Sequence, residues 1–218
     1  MSANVDDVSV AGDPVDLRRV AFGAAADALQ SERDALEAVS SRLGDDFFRA
    51  VELLVACNGR TVVTGLGKSG HVAGKIAATL SSVGRPAQFV HATEALHGDS
   101  GALTRGDLLI ALSNSGRTAE AVAFARYAVS IGVPVIALVG VKDSPLADLS
   151  SAVIDASVAR EADPLNLAPT ASTTAALALG DALAAAAMAV ARFTPDDFHL
   201  RHPSGSLGEQ LATGEDQR

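Results

Sequence analysis

The chain has 218 residues, 48% of them hydrophobic, with one tyrosine, no tryptophan and a single cysteine. That length favours one domain with a sizeable core. The formal net charge of −9 argues against a nucleic-acid partner but leaves room for a local basic pocket. Cys57 has no second cysteine to pair with, so a reducing, cytoplasmic setting is expected, and its position at the end of an apolar helical stretch reads as core rather than as a catalytic thiol.

Residues 1–14 are small, polar and acidic and are expected to be disordered, with 15–218 forming a single domain. Asp6, Asp7 and Asp13 interrupt any secretory signal. Residues 15–56 carry helical periodicity in two pieces divided near Gly44, with Asp45 as the N-cap of the second. Beyond Gly59 the pattern alternates. Strands are expected at 60–64, 87–90, 107–112, 134–139 and 152–156, with helices at 69–83, 118–131 and 170–192 and a helical turn at 93–96. The stretch 175–191 is the most apolar, but it is mostly alanine and broken by Asp181, so it reads as too short and too weakly apolar to span a membrane. No membrane partner is expected. Alternating β and α segments predict an α/β fold with a parallel sheet covered on both faces, whose sites lie at the carboxyl ends of the strands.

Two glycine-rich turns fall at such ends. Ser113-Asn114-Ser115-Gly116, with Thr118 after it, closes an apolar strand and opens a helix. Free amides at a helix start, supplemented by hydroxyls, make a phosphate cradle; the plain alternative is an ordinary N-cap at Ser115. The other turn, Gly65-Leu66-Gly67-Lys68-Ser69-Gly70, fits the G-x-G-x-x-G pattern. A dinucleotide site would want an acid at the end of the next strand, where His91 stands, and the P-loop pattern fails because Val62 occupies its first glycine position. The turn therefore reads as Lys68, Gly67 and Ser69 facing a substrate anion or hydroxyl, or else as a tight turn with a solvated lysine. His91, Glu94, His97 and Asp99 read as pocket-lining groups, with a metal at His91 as a lesser option. Glu161, before the Pro-rich approach to the long helix, is either part of a capped loop or a pocket carboxylate. His202, before Pro203, is either a surface residue or an acid/base delivered to a site.

Together the segments GLGKSGHVAGKIAA (65–78), HATEALHGDSG (91–101), SNSG (113–116), EADPLNLAPTASTT (161–174), GDAL (180–183) and DFHLRHPSGSLG (197–208) resemble the sugar isomerase (SIS) domain, and within it the arabinose-5-phosphate isomerases. The resemblance implies a three-layer α/β/α sandwich around a five-stranded parallel sheet, in the flavodoxin-like and Rossmann-like manner. It implies isomerisation of D-ribulose 5-phosphate and D-arabinose 5-phosphate through a cis-enediol, with no cofactor required, and assembly into a homotetramer. The family's catalytic positions fall on Lys68, Glu120, Glu161 and His202. Its substrate-lining positions fall near Gly84, His91 and His97, and His91 also matches a position linked to inhibitory zinc.

Which glutamate abstracts the proton stays open, as does whether His202 acts in its own subunit. Arg117 stands where relatives carry an acid, Ser204 replaces a glycine, and the regulatory CBS domains of many relatives are absent from this sequence. A hexulose- or heptose-phosphate isomerase and a sugar-phosphate sensor are the competing readings; the full set of acid/base residue types weighs against the sensor.

Overall fold

A computed structural model describes residues 16–201. The expected disordered segment 1–14 and His202 lie outside the described residues. The chain begins with α1 (Leu17–Ser41) and α2 (Asp45–Ala56), and then alternates: β1 (Thr61–Gly65), α3 (Gly67–Ser82), β2 (Ala87–His91), α4 (Ala92–Ala95), a 3₁₀ turn (Asp99–Ala102), β3 (Leu108–Ser113), α5 (Ala119–Ser130), β4 (Val135–Val139), α6 (Pro145–Asp148) and β5 (Ala152–Asp155). Helices α7 (Ala171–Ala191) and α8 (Pro195–Arg201) complete the described chain. The five strands form one all-parallel sheet in the order β2-β1-β3-β4-β5.

The burial pattern follows from that architecture. Strands β1, β3 and β4 are buried at every position, because helices cover both faces of a parallel sheet and no residue of a central strand can face water. Val63, Ile110, Leu112, Ile136 and Leu138 pack with α2, α3 and α7 on one face. Val62, Leu109, Ala111, Val135 and Ala137 pack with α5 and α6 on the other.

Two local expectations are corrected. Gly44, not Asp45, occupies the N-cap of α2; Asp45 and Asp46 lie inside the first turn, where their charges complement the helix dipole. The second concerns the apolar stretch 175–191, which the sequence reads as too short and too weakly apolar to span a membrane. At 21 residues with a mean hydropathy of 1.7, α7 reaches the length and composition of a membrane span. Its Ala175, Leu179, Leu183 and Ala187 belong to the sheet core, and Gly180 admits Ile76 of α3 so closely that a Cβ would collide with it. The helix is thus an inner layer of this fold, and its alanine and glycine content serves tight helix packing.

The strand order reverses between β1 and β3: the chain leaves β1 toward β2 on one side and returns to lay β3 on the other. The carboxyl ends of those two strands flank the crevice that such a reversal opens, and both glycine-rich turns sit there.

Candidate active site

The first turn is built by close backbone approach. A Cβ on Gly65 would lie 2.8 Å from the Ser69 carbonyl oxygen, so only glycine lets the first turn of α3 fold back over the end of β1. The N-cap position of α3, Leu66, supplies no side-chain cap. The helix therefore begins with open amides. Lys68 lies exposed in that turn and has no hydrogen bond or ion pair among the described residues. One residue before the turn, Thr64 Oγ1 is fully buried with no partner among the described residues. Leaving a buried hydroxyl unpaired costs about 1–3 kcal/mol, the kind of local inconsistency that gathers at functional sites.

The SNSG turn is not an ordinary cap. Thr118 holds the N-cap position of α5, but its hydroxyl lies 2.9 Å from Ser113 Oγ and caps nothing. Ser115 Oγ accepts from the Arg117 amide at 3.2 Å, and the Gly116 amide donates to the Ser113 carbonyl at 3.0 Å. The first amides of α5 remain open beside two hydroxyls, one of them on Ser113, which is 3% exposed. Gly116 has a φ of +63°, and a Cβ there would run into the Ser144 hydroxyl, so the turn closes only with glycine. Arg117, the charge reversal noted in the sequence, reaches away and donates to the Asp143 carbonyl at 2.7 Å, tying the turn to the loop after β4.

The third helix start at this edge behaves oppositely. Glu161 sends Oε2 to the Thr170 amide (2.8 Å), the Ser172 amide (3.1 Å) and the Thr170 hydroxyl (3.3 Å), and so caps α7 from across the loop. Partial burial opposes its charge, but the Ser172 and Thr170 hydroxyls and amides outweigh it and hold the carboxyl below its ordinary value. The loop between is fixed by Asp163, which accepts from the amides of Leu165, Leu167 and Ala168, and by Asn166, whose Oδ1 accepts from the Glu161 amide. At its near end Asp155 pairs with Arg42 at 3.3 Å. A carboxyl whose folded pKa is depressed stabilises above its unfolded value, 4.5 for glutamate, and loses that contribution as pH falls through the folded value. Urea unfolding of wild type and Glu161→Ala is therefore expected to show a gap of about 0.5–2 kcal/mol near neutral pH. That gap should shrink once Glu161 is protonated; a gap constant from neutral pH to below pH 4 would remove the charged cap.

Between α3 and α7 lies a cavity of about 170 Å³, lined on its polar side by Lys68, Ser69, Asn114, Gly140, Ser172 and Thr173. Lys68 and Ser69 of one turn and Asn114 of the other thus meet at one space, and Glu161 borders it through Ser172. Gly67 sits beside Lys68, and His91 pairs in register with Gly65, so both flank the crevice. Ser113, Ser115, Thr118 and Glu120 belong to the SNSG turn and the start of α5 without lining the cavity. Glu120 is half-buried and has no hydrogen bond or ion pair among the described residues. His97 is exposed at the end of the short helical segment after β2. Gly84 is not brought to these turns: it follows the far end of α3, about 24 Å of helix from Gly67, and packs against Phe193 and Arg201.

His91 Nδ1 accepts from the Thr93 amide at 3.4 Å, and its ring meets Phe89 edge-on. Among the described residues no three His, Cys, Asp or Glu side chains converge to hold a metal. Cys57 donates to the Arg60 and Gly106 carbonyls, and burial pushes its thiol up, which keeps it protonated. Gly140, Ser172 and Thr173 escaped sequence reasoning. Gly140 had a signal, a glycine ending a buried strand at the carboxyl edge, and it makes room for the Asn114 side chain.

Residues 54–186 match the SIS domain family model. The chain is 53% identical over 83% of its length to the arabinose 5-phosphate isomerase KdsD of Pseudomonas aeruginosa and 47% identical over 78% to the arabinose 5-phosphate isomerase GutQ of Salmonella typhi, covering 55% and 53% of those proteins. It thus spans about half the length of the curated relatives it matches. Its fold is similar to that of the c3406 protein of E. coli CFT073, solved in complex with arabinose 5-phosphate, with a TM-score of 0.81 and 38% identity, covering 85% of this chain and 98% of that one.

Proposed function

Because this chain belongs to the SIS-domain family, we propose that it is an aldose–ketose isomerase that interconverts D-ribulose 5-phosphate and D-arabinose 5-phosphate. The observation that carries this reading is the pair of open helix starts bracketing the β1/β3 crevice, one bearing the unpaired Lys68 and the other the Ser113/Thr118 hydroxyls. The names of the relatives, and a structural neighbour that binds arabinose 5-phosphate, support the choice of sugar.

The phosphate is held by the open amides of α5 with Ser113, Ser115 and Thr118, which fixes the far end of the sugar. The carbonyl end then lies at the mouth of the cavity, between Glu120 in the first turn of α5 and the wall formed by Lys68, Ser69, Asn114, Ser172 and Thr173. Isomerisation moves one proton between adjacent carbons and a second from the hydroxyl oxygen to the former carbonyl oxygen. A base removes it from the carbon next to the carbonyl, an enediolate forms, and the same group returns the proton to the neighbouring carbon. Glu120 takes this role, because it is the glutamate whose oxygens are uncommitted; those of Glu161 are spent on the amides of α7. Lys68 carries the compensating charge for the enediolate oxygen. Glu161 is a positioning residue that holds Ser172 and Thr173 at the cavity wall. His202 serves ring opening of the furanose. A cytoplasmic setting and assembly with copies of itself as a tetramer complete the proposal.

Proton NMR with D-ribulose 5-phosphate in deuterated water tests it. The expected result is arabinose 5-phosphate carrying deuterium at carbon 2. Turnover of a hexulose 6-phosphate instead would move the substrate, and saturable binding without any exchange would make the chain a sensor.

A further inference from the structure

The open amides of the SNSG turn are aimed from outside the turn, by the loop that follows β4. Gly140 donates its amide to the Asn114 carbonyl at 2.8 Å, and Leu146 donates its amide to the Gly116 carbonyl at 3.1 Å. A peptide group is planar and trans, so a carbonyl and the amide that follows it point opposite ways. Pinning the Asn114 carbonyl to the loop therefore turns the Ser115 amide away from the loop, and that amide has no hydrogen-bond partner among the described residues. The loop is firm enough to act as a platform. Ser144 is 2% exposed, and it closes the loop on itself by donating its hydroxyl to the Val141 carbonyl at 2.7 Å and its amide to the Lys142 carbonyl at 3.0 Å. The same hydroxyl fills the space against Gly116.

Arg117 completes the contact. Its Nη2 donates to the Asp143 carbonyl at 2.7 Å, a bond between two exposed residues. Neither helix stability nor an ion pair accounts for a cation at this place. Arg117 precedes the N-cap of α5, at the end of the helix dipole that disfavours positive charge. It pairs with no carboxylate among the described residues. We propose that Arg117 is a positioning residue for phosphate recognition. It straps the loop 140–146 against the SNSG turn, so that the Ser115 amide and the first amides of α5 are aligned before the phosphate arrives, and it does not touch the phosphate itself. Alignment in advance spares the ligand the cost of ordering the turn. A phosphate is held alike in the bound substrate and the transition state, so loss of the strap should appear in KM more than in kcat. The role rests on the proposed phosphate cradle, and not on which sugar carries the phosphate.

Titration of the full chain with inorganic phosphate, followed on its amide NMR signals, tests the role together with hydrogen exchange of the same signals without ligand. Arg117→Met is expected to weaken phosphate binding by about tenfold, the loss of a preorganising contact, and to raise the KM for arabinose 5-phosphate similarly while kcat falls by less. In the ligand-free chain it should speed exchange of the Gly140 and Leu146 amides by about fivefold or more, as local opening becomes easier. Lys142→Met removes one positive charge from the same loop and leaves the strap in place, so it should match wild type in both readouts. Weakened binding with the Gly140 and Leu146 amides as protected as in wild type would make Arg117 a phosphate ligand and overturn the strap. Unchanged binding in Arg117→Met would overturn the role outright. Equal weakening by Lys142→Met would reduce the effect to charge and overturn it too. A wild type whose SNSG amides do not respond to phosphate would overturn the cradle and the strap with it. Phosphate binding that depends on Arg117, without isomerase turnover, would overturn the isomerase reading alone and uphold the strap.

Discussion

Lys68→Met is expected to lower kcat by about 10²–10³-fold, the cost of removing one preorganised group from a developing oxyanion, with a much smaller change in KM. The expectation comes from where the charge sits. Lys68 stands in the first turn of α3, exposed, without an acidic partner among the described residues, and its side chain lines the cavity. A cation with no structural partner can be removed without unfolding the helix, so the thermal midpoint should hold. A phosphate ligand would stabilise the bound substrate and the transition state alike, and its loss would appear in KM. A group that meets charge only when the enediolate forms should appear in kcat. Lys75, about two turns further along the same helix, supplies the control. It pairs with Asp181 of α7, an exposed contact worth about 0–1 kcal/mol, and Lys75→Met should leave kcat unchanged. A Lys68→Met enzyme with wild-type kcat and a raised KM would reassign the lysine to the phosphate.

The same contrast shows how far the residues speak for themselves. The strands were legible because buried parallel strands are written as unbroken runs such as Leu108–Ser113, whose ends differ from the expected 107–112 by one residue. Helix α5 was legible to within a residue at each end. Short elements fixed by tertiary contact were not. The segment Pro145–Asp148 carries too few residues for a period, and the 3₁₀ turn Asp99–Ala102 has no apolar face. In the candidate site, the SNSG turn and Lys68 stood out because glycine, hydroxyls and a lysine after a strand have a local signature. The walls contributed by Gly140, Ser172 and Thr173 could not, since their nearness to Asn114 and Lys68 arises only when β4 and α7 come alongside. Glu161 was visible as a carboxylate before a helix, but that it would cap α7 over a nine-residue separation depends on the fold of the Asp163-centred loop.

Glu120→Gln and Glu161→Gln are expected to separate, although both remove one negative charge from the same edge of the sheet. Glu120→Gln should lower kcat by about 10²–10⁴-fold, the contribution of a positioned general base, and leave stability within about 0.5 kcal/mol, as for a substitution that breaks no buried contact. Glu161→Gln removes the charge from a cap but keeps an oxygen that can accept from the Thr170 and Ser172 amides. Its main effect should therefore be on stability, with kcat falling less than for Glu120→Gln to the extent that Ser172 and Thr173 drift from the cavity wall. Deuterium exchange at carbon 2 of arabinose 5-phosphate, supplied as the substrate in deuterated water, distinguishes the two roles, because exchange into substrate requires the base even when later steps are slow. Exchange should vanish with Glu120→Gln and persist with Glu161→Gln. The reverse pattern would mean that substrate binding draws the Glu161 carboxylate off the α7 amides and into the cavity, and the open helix start left behind would then have to be paired by the substrate itself.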